Sequence, residues 1–388
     1  MNDRKLPSGV VALGLVSLFM DISSEMIHSL LPVFLVTVLG ANALSVGVIE
    51  GVAEATAAFA KVFSGAVSDW IGRRKPLLLL GYGLAALTKP LFPLAAGAGT
   101  VLLARFIDRI GKGIRGAPRD ALVADLSPPA LRGAAYGLRQ ALDTAGAVVG
   151  PLLALAIMAA SADNFRLVFW VAVIPAFLCV PLIVFGVREP MGRRAAARRF
   201  PIRRSELKRL PVRFWQVTVF ALVLTLARFS EAFLLLRAEN VGLGITWVPA
   251  IMIVMNLVYA ASAYPLGRLA DRRHRGSLLA AGVGCIIAAD LILALAGNVW
   301  LVGAGAALWG LHMGATQGLL SALVADAAPA DLRGTAFGVF NLVTGVALLA
   351  ASVIAGWLWT VFGPAATFHA GAALATAALV GLLARPRA

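Results

Sequence analysis

The stretch Ala121-Leu122-Val123-Ala124-Asp125, followed by Pro128, Leu131-Arg132-Gly133 and Ala135-Tyr136-Gly137, returns 201 residues later. The second copy reads Ala322-Leu323-Val324-Ala325-Asp326, then Pro329, Leu332-Arg333-Gly334 and Ala336-Phe337-Gly338. Spacing and identity held together over so many positions mark an internal duplication. Gly65 and Asp69 match Gly267 and Asp271 in the same way, and Ser24-Glu25 matches Ser230-Glu231. Each copy fills about half the chain, so the fold is a unit used twice.

Composition says what the unit is made of. Of 388 residues 60% are apolar and 14% charged, against about 45–50% and 25% in a soluble domain. Runs such as Val168 to Val187 and Leu342 to Phe362 have the roughly 20 apolar residues that a membrane-spanning helix needs. Hydropathy and Gly/Pro punctuation place spans at about 9–39, 44–69, 76–96, 99–125, 131–159 and 165–187, then 214–237, 246–270, 275–296, 298–325, 332–360 and 364–384. The expected fold is an all-α membrane protein, twelve transmembrane helices in two pseudo-symmetric six-helix bundles. Residues 1–187 form the first bundle, 188–213 a basic cytoplasmic linker and 214–388 the second bundle.

A formal charge of +15 in a soluble chain would suggest nucleic acid. Here the linker carries Arg188, Arg193, Arg194, Arg198, Arg199, Arg203, Arg204, Lys208, Arg209 and Arg213 against Glu189 and Glu206. Arg4, Lys5, Arg73, Arg74, Lys75, Arg132, Arg272, Arg273, Arg275, Arg333, Arg385 and Arg387 fall on the same face, while the opposite loops hold little beyond Arg166 and Arg237. The positive-inside rule accounts for this without a nucleic-acid partner and puts both termini in the cytoplasm. The protein is expected as a multi-pass monomer in the cell membrane, the inner membrane if the source is Gram-negative. Trp70 and Trp215 would then lie near the inner interface, and Trp170, Trp247 and Trp300 near the outer one. Cys179 and Cys285 sit in apolar runs as packing residues. The first span lacks a trailing small-residue cleavage site and reads as a retained helix.

Between the second and third spans stands Gly65-Ala66-Val67-Ser68-Asp69-Trp70-Ile71-Gly72-Arg73-Arg74-Lys75, with a shorter copy in Gly267, Asp271 and Arg272. Gly65 permits close helix approach, Gly72 a tight turn, and Asp69 can pair with a cation or a helix N-terminus. This loop resembles the signature of the major facilitator superfamily. The resemblance implies alternating access between the two bundles, with the loop latching the cytoplasmic side. Gly146, Gly150 and Pro151 resemble the motif of that superfamily's proton-coupled antiporter branch, although Leu152-Leu153-Ala154 lacks the glycines that often follow. Small-residue packing between membrane helices is the other reading of the same glycines.

The fourth span places Arg105, Asp108, Arg109, Lys112, Arg115, Arg119 and Asp120 in one helix. Related transporters carry one arginine at the position of Arg105, and Asp108 and Arg109 depart from that pattern. Charges in the bilayer centre cost at least about 2.5 kcal/mol each, so this row must face protein or water. Arg105, Asp108, Arg109 and Lys112 form one stripe at i, i+3, i+4 and i+7. Its expected partners are Asp21 and Glu25 of the first span and Glu50 and Glu54 of the second, with His28 and Lys61 extending those stripes and Lys89 alone in the third. Arg139 and Asp143 form a further i, i+4 pair. The second half offers Arg228 and Glu231 with uncharged Asn256, His312, Gln317 and Asn341.

Carboxylates beside cations can exchange protons when the cation is drawn away, or can fasten helices as permanent pairs. His28 and His312 with Met20, Met26 and Met313 could hold a soft metal, but single buried histidines are more commonly packing residues, so no metal site or cofactor is assigned. No nucleophile stands beside a base, which argues against an enzyme. The expected activity is proton-coupled export of a small organic compound. The alternatives are uptake by symport, or exchange of an organic anion or a metal chelate.

Overall fold

A computed structural model of the protein describes residues 6–71, 73–128, 131–189, 207–272, 275–329 and 332–384. Every regular element among them is helical. The α-helices are α1 (Ser8–His28), α2 (Leu31–Thr37), α3 (Ala43–Ile71), α4 (Lys75–Thr88), α5 (Ala98–Leu126), α6 (Arg132–Ala160) and α7 (Phe165–Gly186), then α8 (Val212–Ala227), α9 (Ala232–Asn240), α10 (Pro249–Arg272), α11 (Arg275–Leu295), α12 (Val299–Ala327), α13 (Arg333–Phe362) and α14 (Pro364–Leu383). Taking α1 with α2 and α8 with α9 as broken spans gives twelve transmembrane helices. Ten are long and apolar enough to cross a bilayer on those grounds alone. The other two are α4, which is short, and α5, which is laden with charge.

The duplication is visible in the helix boundaries. Helices α5 and α12 both have 29 residues, and their ends lie 201 residues apart. Each stops before a proline, at Ser127 (φ −97°, ψ 130°) and Ala328 (φ −100°, ψ 136°). The following helices start at Leu131 (φ −110°, ψ 0°) and Leu332 (φ −111°, ψ 4°). The repeated sequence therefore encodes a corner in which Pro128 or Pro329 cannot continue the preceding helix.

Three spans are interrupted. Pro32 has no N–H to donate to His28, and the first span breaks at Ser29–Leu30. Pro90 likewise ends α4 and turns Lys89–Leu91 into a 3₁₀ segment. Between α8 and α9 there is no proline; within the break the Ser230 hydroxyl accepts from Ala232 N–H at 3.2 Å. These breaks revise one match in the repeat. At an offset of 201 the break residue Ser230 corresponds to Ser29, whereas Glu25 lies inside continuous α1, so Ser24-Glu25 and Ser230-Glu231 are not equivalent positions.

Contacts divide the chain into two compact units. One holds α1, α3 from Thr56 onward and α4 to α7; the other holds α2, α3 up to Ala55 and α8 to α14. In the first, α1 packs on α6 and α7, and α4 on α5 and α7, around Leu13, Val16, Met20, Tyr82, Cys179 and Ile183. In the second, α12 packs on α10 and α11, and α11 on α14. Large apolar side chains such as Leu87, Phe185 and Leu295 stay exposed, as suits a surface solvated by lipid. Trp170, Trp215, Trp247 and Trp300 are exposed as well.

Glycine sets the closest approaches. A Cβ on Gly81 would lie 2.7 Å from the Gly111 carbonyl oxygen, and one on Gly111 2.5 Å from that of Gly81. Helices α4 and α5 thus touch backbone to backbone, which small residues allow in membranes. Gly111→Leu is expected to cost about 1–3 kcal/mol by overpacking. Gly83, where an added methyl carbon would meet nothing within 4 Å, should accept alanine with little change. Thermal unfolding of the purified protein in detergent separates the two.

Candidate functional site

Helix α5 brings its charged stripe into the interior of the first unit. Arg105, Asp108, Arg109 and Arg115 are buried, while Lys112 is exposed. The interruption of α4 at Pro90 places Lys89 beside this stripe, its Nζ 3.1 Å from Asp108 Oδ1 and 3.1 Å from Ser24 Oγ. Lys89 is therefore not isolated in its span. Asp108 also feels Arg105, Arg109 and Arg115, and the Arg115 guanidinium lies over the Tyr82 ring at 4.5 Å. The acid within the stripe serves as the shared counter-ion of its neighbours, a role that spacing alone assigns to acids on other helices.

Those acids on α1 face α6 at its glycines. A Cβ on Gly146 would lie 2.8 Å from Asp21 Cβ, and one on Gly150 2.7 Å from Glu25 Cβ. Glu25 is 3.6 Å from His28 Nδ1 and within electrostatic range of Lys112 and Arg109; Asp21 is within range of Asp143, Arg119, Lys112 and Arg115. Toward the other end of α5 a second network forms. Arg139 pairs with Asp143 at 2.9 Å, as its spacing anticipates, and with Asp120 at 3.4 Å. Arg119 donates to Ser17 at 2.8 Å and approaches Asp120 at 3.2 Å and Asp143 at 3.9 Å. Pro151 is buried within α6.

Glu50 and Glu54 belong to the segment of α3 that packs with the second unit. Glu50 is buried, and Arg228 at the α8–α9 break feels the charges of Glu231 and Glu54. On α10 and α12, Tyr259 and Gln317 are hydrogen bonded at 3.2 Å. Tyr259 also borders a cavity of about 370 Å³ lined by Ala263, Gly267, Met313, Gly314 and Gly318. Gly267 faces this space, with nothing within 4 Å of its Cβ position. His312 is fully buried, its Nδ1 2.8 Å from the Gly282 carbonyl oxygen. Among the described residues no three His, Cys, Asp or Glu side chains converge as metal ligands.

In the signature loop, Gly72 and the side chains of Asp69, Asp271 and Arg272 lie outside the described residues, as do the surroundings of Gly65. Most of the basic linker, from residue 190 to 206, lies outside them too. Arg73 is exposed, and Arg74 reaches Asp125 Oδ2 at 2.7 Å. The backbone N–H groups of Arg74 and Lys75 donate to Glu189, and Lys75 Nζ donates to the Val184 and Val187 carbonyls at 2.8 and 2.7 Å. In the second unit Arg275 pairs with Asp326. Asp125 and Asp326 are matching acids of the repeat itself, so the duplicated motif ties the end of α5 to the start of α4 and the end of α12 to the start of α11. Its spacing is legible in the sequence; the role of its aspartates emerges only in the fold.

Asp108 pairs with Lys89 and feels the charges of Arg105, Arg109 and Arg115, so its loss removes a buried negative charge from among cations. Removing one member of a buried pair costs about 3–5 kcal/mol. Asp108→Asn should fall at the upper end and Lys89→Gln below it, because three arginines still serve Asp108 when the lysine is gone. The double variant should be less destabilised than the sum of the two, read from thermal unfolding in a double-mutant cycle.

The profile of the Major Facilitator Superfamily matches residues 13–351 and, again, 243–388. An MFS-type transporter of Methanocaldococcus jannaschii is 32% identical over 385 residues, covering 96% of this chain and 94% of that one. The multidrug resistance protein MdtH of Cronobacter sakazakii is 27% identical over 363 residues, covering 90% and 84%. Among solved structures, the nucleoside transporter NupG superposes with a TM-score of 0.78 at 12% identity, covering 97% of this chain and 98% of the other, which speaks to the fold alone. With the profile matched along most of its length and a relative 32% identical over nearly all of it, the chain belongs to the Major Facilitator Superfamily of membrane transporters.

Proposed function

We propose that the protein exports a small organic compound across the cell membrane in exchange for protons. The two halves of the repeat, 1–187 and 214–388, act as the rocking bundles, and 188–213 is their cytoplasmic tether. The observation that carries this reading is the seating of Asp21 and Glu25 on Gly146 and Gly150. The antiporter-like glycines and the packing glycines are one surface, and that surface holds two carboxylates against α6 within range of Lys112, Arg109, Arg115 and Arg119. A shift of α1 along α6 would change which cations stand beside each acid. Proton affinity would then follow conformation, which is what obligatory exchange requires. The kinship with proteins named for multidrug resistance supports export.

A second reading has its own support. Cations outnumber carboxylates along α5, and Arg105 and Arg109 are buried there, an arrangement that could bind an organic anion. The organic anion transporter MFSD10 shares the fold at a TM-score of 0.69. The charge of the transported compound separates the two.

Reconstituted in proteoliposomes, the wild type should move a screened substrate against its gradient when a pH gradient is imposed, and a protonophore should abolish that movement. Asp21→Asn and Glu25→Gln should lower pH-driven transport at least about tenfold while leaving substrate-substrate exchange measurable, because the coupling proton is lost and the binding site is not. Flux unchanged by the protonophore would overturn proton coupling. Accumulation of anions alone would favour the second reading.

A further inference from the structure

Helix α11 carries one acid, Asp290, in an otherwise apolar face. It is completely buried, and among the described residues neither carboxyl oxygen has a hydrogen-bond donor or an ion-pair partner. Its surroundings are apolar and tight. The Cβ position of Gly371 on α14 lies 2.5 Å from Asp290 Oδ2 and 3.1 Å from Phe229 Cε1, so the carboxyl and that ring meet at the same point of α14. Phe229 stands in the α8–α9 break, with its ring 5.5 Å from each of Phe233, Trp309 and Phe368.

The charged and titratable groups of the adjoining elements are otherwise occupied. Arg237 of α9 donates to the carbonyls of Leu293, Ala294 and Ala296 and so caps the end of α11. On α12, His312 is held through Nδ1 at Gly282, nearer the start of α11 than Asp290 is. Arg228 and Glu231 flank Phe229 in the break and feel each other's charge. On α14 the nearest titratable residue, His369, is exposed. An ionised carboxylate in this setting would lack both solvent and counter-ion, which is strongly unfavourable. Backbone and ring carbon around it supply no ligand set for a metal ion.

We propose that Asp290 is a proton-binding site of the second unit, separate from the charged network on α5, and that Phe229 at the α8–α9 break is its seal. The proton is held on a carboxyl oxygen when the aromatic cluster is closed. When the break moves, Phe229 leaves Gly371, solvent reaches Asp290 and the proton passes to water. The site is independent of the coupling assigned to Asp21 and Glu25.

Infrared spectroscopy of the purified protein in lipid nanodiscs tests this without a substrate. At neutral pH the wild type should show a protonated-carboxyl C=O band that downshifts when aspartate is carboxyl-labelled with ¹³C, persists in Asp21→Asn and disappears in Asp290→Asn. Phe229→Ala should speed exchange of that carboxyl proton with D₂O on the order of tenfold, as opening becomes easier. The labelled wild type and Asp21→Asn decide the matter even if Asp290→Asn does not fold. Absence of an aspartate band in both, or a band unchanged in folded Asp290→Asn, would overturn the site. Exchange unaltered in Phe229→Ala would overturn the seal. Loss of the band in folded Asp21→Asn would overturn the independence of the two sites.

Discussion

The pairing of Asp108 with Lys89 is the interaction on which the interior of the first unit depends. A helix with the charge load of α5 cannot enter a bilayer on hydropathy, and although long enough it does not meet the hydropathy and charge limits that ten other spans satisfy. Within it, Asp108 stands among Lys89, Arg105, Arg109 and Arg115 and offsets their charge. Lys89 reaches the stripe only because Pro90 ends α4 one residue later, and α4 lies close enough only because Gly81 and Gly111 bring two backbones into contact. A proline, two glycines and an ion pair on neighbouring helices form one device. Removing one charge of the pair would leave the other buried and uncompensated, which is costly.

The two networks on α5 differ in how firmly they are bound. Asp108 is surrounded by cations and nearly sealed from solvent, which makes it a permanent fastening. Asp21 and Glu25 sit on the glycines of α6, within electrostatic range of Arg109, Lys112, Arg115 and Arg119. On the reading proposed above, this glycine face is where α1 shifts along α6, so the acids that rest on it are the ones whose neighbours would change. On that reading the fixed acid lies on α5 and the exchangeable acids on α1.

Much of this is legible in the sequence. The repeat at 201 residues anticipates the matching corners after α5 and α12, and the i, i+4 spacing of Arg139 and Asp143 anticipates their ion pair. What spacing cannot supply is the choice of partner across helices. By pattern Asp108 is one more member of a stripe that seeks acids elsewhere, yet it is the counter-ion. Glu50 and Glu54 match Asp21 and Glu25 in pattern, yet α3 divides at Ala55 and its first half packs with the second unit. Such outcomes depend on where a helix breaks and which face then turns inward. The Ser29 break has a proline to announce it, while the break at Arg228 to Glu231 is made by Phe229 and Ser230 packing against other helices. Asp290, a single acid in an apolar run, carries no periodic signal at all.

The two units share a backbone plan and differ in how they hold charge. In the first, carboxylates have arginines and lysines beside them. In the second, Asp290 has aromatic rings and a glycine for neighbours, a setting that suits a neutral carboxyl group. An ionised acid responds to the movement of a cation, whereas a neutral acid responds to the arrival of water. One duplicated scaffold thus carries two different settings for an acid, and the proposals above rest on that difference. The α8–α9 break lies beside Asp290 through Phe229, whereas α1 runs unbroken past Asp21 and Glu25. Under the two proposals above, charge rearrangement would link proton and conformation in one unit and hydration would do so in the other.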